Sequence, residues 1–143
     1  MPYTYLEDIA TADAAFRAWG KDLRELFSAC ADALMNVMVE DLETIAFEEN
    51  RPIALKNKSL EMLLFEFLQE FIFYKDAQLL LLRVSEMEIK RDGDEFQLKA
   101  EVSGERINSK KHPLNVDVKA VTMHRFKVTE TKGRWEAEVV VDI

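Results

Sequence analysis

The sequence predicts an α+β fold in which two main helices pack with mostly antiparallel β-sheet in a single domain, residues 1–143. Three observations carry that expectation. Two stretches, near residues 23–38 and 60–74, repeat apolar side chains at helical spacing. Others, clearest at 96–102 and 135–143, alternate apolar and polar residues with the period of two that a half-buried strand requires. A chain of 143 residues can build one hydrophobic core and leaves no room for a second of full size.

The elements follow in order. Residues 3–9 and 14–19 are enriched in Tyr, Ile, Phe and Trp and read as strands on either side of the polar pause Thr11-Ala12-Asp13. After Gly20, Asp22 with Glu25 three positions on is an Asp variant of the capping box. Leu23, Leu26, Phe27, Cys30, Leu34 and Met38 then recur at helical spacing, which predicts a helix over 23–37. Residues 41–57 lose that period. Leu42, Ile45 and Phe47 precede a turn candidate at Glu48-Glu49-Asn50-Arg51-Pro52, and Ile53 and Leu55 follow, the pattern of a short hairpin or an irregular excursion. Ser59 caps a second helix whose broad apolar face is Leu60, Leu63, Leu64, Phe67, Leu68, Phe71 and Ile72, widened by Met62, Phe65, Phe73 and Tyr74. Such a helix is expected to be covered on nearly all sides. From residue 79 the period switches to two. Leu80 leads through the turn Asp92-Gly93-Asp94 into the alternation Phe96, Leu98, Ala100, Val102, an antiparallel hairpin. A polar loop over 104–115 gives way to an extended stretch with Val116, Val118 and Ala120. Phe126 and Val128 follow, Thr131-Lys132-Gly133 turns the chain, and the last strand spans 135–143.

Composition narrows the function. Hydrophobic residues are 48% and charged residues 32%, with only 4 Gly and 3 Pro, so collagen-like, low-complexity and disordered readings fail. The net charge of −8 repels a phosphate backbone and argues against direct, strong nucleic-acid binding; a partner with a basic surface or a bound cation suits the sign. Cys30 is the only cysteine, which excludes an intramolecular disulfide, a thiolate zinc cluster and a CxxC pair and points to the cytoplasm. The first residues show no basic region followed by an apolar run, so no secretory signal is expected. The apolar stretch 60–74 is interrupted by Glu61, Glu66, Gln69 and Glu70 and falls short of the roughly 20 residues a membrane crossing needs.

Catalytic motifs are absent: no Walker A loop, GxGxxG, GxSxG or HExxH occurs. His112 and His124 read as surface or satisfied histidines, Cys30 as a small core hydrophobe, and Glu48-Glu49 and Lys110-Lys111 as solvated loop charges. The unusual feature is the last strand. Trp135, Ala137, Val139, Val141 and Ile143 make one face apolar, which turns Asp142 to the other face beside the carboxylate of Ile143. Hard cations such as Ca²⁺ or Mg²⁺ take clustered oxygen ligands of this kind, and Asp13 could add another.

The residues also resemble a known family. Thr11-Ala12-Asp13, Arg17-Ala18-Trp19-Gly20-Lys21, Leu60-Glu61-Met62-Leu63-Leu64, Leu98-Lys99-Ala100-Glu101-Val102-Ser103-Gly104-Glu105, His112, Val118-Lys119-Ala120-Val121-Thr122-Met123-His124 and Val141-Asp142-Ile143 together look like archease, in order and over essentially the whole chain. The resemblance implies a small acidic protein that is not itself an enzyme. It would assist an RtcB-type RNA ligase in tRNA splicing and RNA repair, promoting GTP-dependent guanylylation of the ligase and multiple turnover. It further implies a divalent-metal site, usually calcium, at Asp13 and Asp142 with oxygen from Ile143, and a role for Lys119, Asp13 and Asp142 in activating the partner ligase. Where the family usually opens its motif with His-Thr-Ala-Asp, this chain has Ala10 in place of the histidine. Two other classes compete: a metal-dependent phosphohydrolase or nucleotide-handling enzyme built on the same carboxylates, and a metal-independent chaperone or adaptor using the apolar surface of the second helix.

Overall fold

Chain order is β1 (Tyr3–Leu6), β2 (Asp13–Gly20), α1 (Leu23–Met38), β3 (Glu49–Asn57), α2 (Leu60–Gln78), β4 (Leu80–Asp92), β5 (Glu95–Arg106), β6 (Ala120–Val121), β7 (Lys127–Thr131) and β8 (Arg134–Asp142), in a computed structural model that describes residues 2–7 and 13–143. The expected strand end at Ile9, the pause residues Thr11 and Ala12, and Ala10 lie outside the described residues.

Both helices start where the sequence places them, and for the expected reason. The Asp22 carboxylate accepts the Glu25 N–H at 2.8 Å, while the Glu25 carboxylate turns back to the Lys21 N–H at 3.4 Å. Ser59 Oγ accepts the Met62 N–H at 3.2 Å. The second helix ends at Leu79, whose left-handed backbone (φ 57°) lets its N–H return to the Lys75 carbonyl at 2.9 Å.

The strands form two antiparallel sheets. One has the order β1-β2-β8-β6, with β7 taking the stretch of the β8 edge that β6 leaves free; the other has the order β3-β5-β4. Each helix touches both sheets: α1 lies against β2 and β4, and α2 against β3 and β6. The interior between them is held by fully buried Phe16, Phe27, Phe67 and Phe71, each contributing about 1.5–3 kcal/mol relative to an exposed position. Phe67 stands 5.8 Å from Phe27 and 5.1 Å from Phe71, ring centre to ring centre.

Four expectations need correction. Residues 49–57 are no excursion but a full strand, and Glu48-Glu49-Asn50-Arg51-Pro52 is not a turn. Pro52 pairs with Glu101 within β3, which is tolerated because β3 is an edge strand with one neighbour. The extended stretch expected at 116–120 is confined to Ala120–Val121; Val116 is exposed and Val118 is buried from a loop. Strand β8 is buried from Ala137 through Val141 without alternation, because it is an interior strand and on its outer face Arg17 and Arg125 lie against Glu138. Finally, α2 is not covered all round: Phe73 is 55% exposed.

Close packing of the second sheet on its own hairpin is set by Gly104, where a β-carbon would overlap the Leu81 carbonyl. Gly104→Ala is therefore expected to cost about 3 kcal/mol through overpacking in chemical denaturation. Gly93→Ala, at a turn with open space and φ 66°, is expected to cost only about 1 kcal/mol.

Candidate functional site

Strands β2 and β8 run antiparallel in a register that sets Asp13 directly opposite Asp142, Ala15 opposite Val140 and Arg17 opposite Glu138. Phe16 and Ala18 from β2, and Val139 and Val141 from β8, face the core, so Asp13 and Asp142 share the opposite face at one end of the sheet. Directly opposed residues sit about 4.5–5.5 Å apart at Cβ. The two carboxylates, from opposite ends of the sequence, are thus brought side by side and are half-buried.

Lys119 is delivered to the same place. Its N–H donates to the Asp142 carbonyl at 2.8 Å, Ala120 pairs with Asp142 in β6, and the Thr122 N–H and Oγ both reach the Val140 carbonyl at 3.0 Å. Its side chain is exposed. The structure thus places the main chain of Lys119 beside the Asp13–Asp142 pair, with Ala120 as the residue directly opposite Asp142. Ile143 follows Asp142 and packs against the core with its side chain half-buried.

Two buried polar clusters hold the loop that carries Lys119. On one side, Lys75 rises from the apolar stripe of α2 with its side chain only 4% exposed. Its ammonium donates to Asp117 Oδ1 at 2.5 Å and to the Val118 carbonyl at 2.6 Å, and Asp76 adds a third contact at 2.9 Å. On the other side, buried Glu105 accepts from Lys111 Nζ at 2.7 Å and from the Ala46 N–H at 2.5 Å. His112 completes this cluster. Its Nδ1 accepts the Asn108 N–H at 3.0 Å, which assigns the proton to Nε2, 3.3 Å from Glu105 but not aligned for a full hydrogen bond. Burial alone would raise the Glu105 pKa, but the Lys111 ammonium, the Ala46 N–H and His112 outweigh it and hold the group at about 2 against an ordinary 4.5. Lys111 is thus an ion-pair partner and not the solvated charge expected; its loop continues through Pro113 and Asn115, which bond to the main chain of Glu40 and Met38.

Sequence reasoning missed Lys75, Glu105 and a third buried charge, Glu138. Lys75 had a readable signal, since it stands four positions after Phe71 on the apolar stripe. Among the other candidates, Cys30 is fully buried and burial pushes its thiol pKa up, away from nucleophilic use. His124 is exposed in the link between β6 and β7.

The carboxylate pair is chemically suited to a hard cation, because ionised carboxylates are acceptor-only oxygens. Among the described residues no third His, Cys, Asp or Glu joins Asp13 and Asp142, so further ligands would be main-chain oxygens, water or a partner's groups. No helix among the described residues is long and apolar enough to cross a membrane.

Comparison with known proteins bears on the family and the fold. The model of the Archease protein family (MTH1598/TM1083) matches residues 3–143. The protein archease of Methanosarcina mazei is 35% identical over 142 residues, covering 99% of this chain and 95% of that one. The protein archease of Pyrococcus abyssi is 36% identical over 134 residues, 93% and 94% of the two chains. Among solved structures, protein 1598 of Methanobacterium thermoautotrophicum superposes with a TM-score of 0.85 at 29% identity over 99% of both chains. A Thermotoga maritima archease described as a possible chaperone shares the fold, with a TM-score of 0.62 at 20% identity over 96% of this chain and 97% of its own.

Both clusters make measurable claims. Glu105 is held below its ordinary pKa, so its contribution to stability is complete above pH 4.5 and is lost as the pH falls toward about 2. Lys111→Met is expected to lower stability at neutral pH and to flatten the fall between pH 4.5 and 2, read from urea midpoints across that range. Lys75→Met leaves the Val118 carbonyl without its donor. It is expected to cost about 1–3 kcal/mol and to speed hydrogen exchange at the Lys119 amide.

Proposed function

This chain belongs to the archease family, and from that membership we propose that it is a non-enzymatic protein activator of an RtcB-type RNA ligase, acting in the cytoplasm in tRNA splicing and RNA repair. In this reading it promotes GTP-dependent guanylylation of the ligase and lets the ligase turn over repeatedly. The observation that supports the reading is the pairing of Asp13 with Asp142 at one sheet end, to which the main chain of Lys119 is tied by its N–H to the Asp142 carbonyl.

Asp13 and Asp142 would hold a divalent cation, calcium being the best match to hard oxygen donors, with a main-chain oxygen of Ile143 as a further ligand. When bound, the ion supplies positive charge against phosphate oxygens of the partner's substrate. Lys119 adds a compact point charge on a flexible stem, free to reach a phosphate or a carboxylate of the ligase, while its main chain stays fixed to β8. A hydrolytic enzyme on the same carboxylates is the weaker reading, because among the described residues neither histidine joins the pair to act as a base.

The test is multiple-turnover joining of an RNA with a 2′,3′-cyclic phosphate, in excess over an RtcB-type ligase, with GTP. The intact protein is expected to raise the number of turnovers. Asp13→Ala, Lys119→Ala and Asp142→Ala are expected to abolish that effect with unchanged circular dichroism. The two aspartate variants should also lose calcium affinity by about tenfold or more in calorimetry. Full stimulation by all three variants would overturn the assignment.

A further inference from the structure

We infer that Arg17 and Arg125 form a second site on the same outer face of the sheet, a clamp for a phosphate group supplied by a nucleotide or by an RNA end. The inference rests on the charge arrangement around Glu138 and stands apart from the ligase-activator reading.

Glu138 lies in the interior strand β8 with its side chain 6% exposed, and two guanidinium groups hold it from opposite sides. Arg17 Nη2 donates to Oε1 at 3.1 Å; Arg125 Nε and Nη2 each lie 3.0 Å from Oε2. The two arginines differ from their anchor in exposure, at 46% and 44% for their side chains. One arginine would neutralise one carboxylate. The second leaves a net positive charge, and Lys127, which pairs with Glu138 across β7, adds another. On the same face Glu136 is paired with Arg134, so the local excess of cations is confined to the surroundings of Glu138.

The arrangement costs stability in two ways. Arg125 sits at φ 56°, a left-handed conformation unfavourable for a side chain of its size by about 1 kcal/mol or more. Burying Glu138 in a strand whose neighbours are Ala137, Val139, Val140 and Val141 is no gain over an apolar residue there. What both achieve is orientation. Among the described residues Arg17 Nε and Nη1 and Arg125 Nη1 have no hydrogen-bond partner, so the bonds to Glu138 fix two half-exposed guanidinium planes and leave donors over. Planar donors held in place in this way match the oxygens of a phosphate.

The clamp also has a defined relation to the carboxylate pair. Glu138 and Asp142 lie on one face of β8, four positions apart, which at the rise of a strand is about 13 Å. The overall negative charge repels the rest of a polyanion, so the clamp takes a single phosphate weakly and locally and does not make the chain a general nucleic-acid binder.

The test follows the Arg17 and Arg125 Nε–H resonances of the intact protein by NMR during titration with inorganic phosphate, guanosine monophosphate and a short RNA with a 3′-phosphate, with an acidic hexapeptide as the contrasting arm. Saturable shifts of both resonances with the phosphate ligands are expected, with affinity reduced about tenfold by Arg125→Gln or Arg17→Gln and not recovered by Arg125→Lys. Asp142→Asn should leave the affinity unchanged, so this outcome is independent of the ligase assay. A preference for the RNA over the nucleotide, or the reverse, identifies the source. If Arg125→Gln does not fold because Glu138 loses a partner, Arg125→Gln with Glu138→Gln removes the buried charge as well, and the phosphate response should still be lost. Absence of shifts with any phosphate ligand, unchanged affinity in the glutamine variants, or equal binding of the acidic peptide would overturn the proposal.

Discussion

The register of β2 against β8 fixes everything on the outer face of the larger sheet. Asp13 meets Asp142, and Arg17 meets Glu138, only because the eight residues of β2 pair with β8 in one alignment. That alignment is set by burial. Phe16 and Ala18 must face the core with Val139 and Val141, and a slip of one residue would turn those side chains outward and drive Asp13 and Arg17 into the apolar interior. The hydrophobic core therefore positions the polar face without contacting it. Edge pairing by β6 and β7 finishes the arrangement, bringing Lys119 and Arg125 to β8 from its other side.

Buried charges do the finer placement. Lys75, Glu105 and Glu138 are each buried, and each holds at least one polar group of a segment with little regular structure. Lys75 grips Asp117 and Val118, Glu105 grips Lys111 and Ala46, and Glu138 grips Arg125 in the link between β6 and β7. A loop has few ladder hydrogen bonds to define it, so a low-dielectric ion pair with several partners is an effective way to give it one conformation. In the loop before Lys119 this matters directly, because the chain there runs from Ile107 to Lys119 without a strand of its own.

Much of this was legible in the sequence, for identifiable reasons. Both helices were readable from spacing and caps, since Asp22 and Ser59 act locally and need no tertiary partner. The β4–β5 hairpin was readable because Gly93 marks its turn. The strand over 49–57 was not, because Pro52 and the charged residues around it imitate a turn, and only the position of β3 at a sheet edge makes them acceptable in a strand. The meeting of Asp13, Lys119 and Asp142 could be expected from family likeness, but spacing alone gives no distance between residues so far apart in sequence. The guanidinium pair on Glu138 was invisible for a related reason: Glu138 lies in an apolar run, where period-two reasoning assigns it to solvent.

Arg17 and Glu138 are 121 positions apart, and β8 is the last of the described strands to be made although it occupies the interior of its sheet. During synthesis β1 and β2 can form their ribbon early, and the β3-β5-β4 sheet can close around α2, but neither β6 nor β7 has a neighbour until β8 arrives. Such long-range pairing is slow to find, and until it is found the sides of both helices that pack on the larger sheet stay incompletely covered. Assembly of the carboxylate pair is accordingly a report that the chain has been completed as far as residue 142: a truncated product can display most of the fold's local structure and still lack the pairing of Asp13 with Asp142.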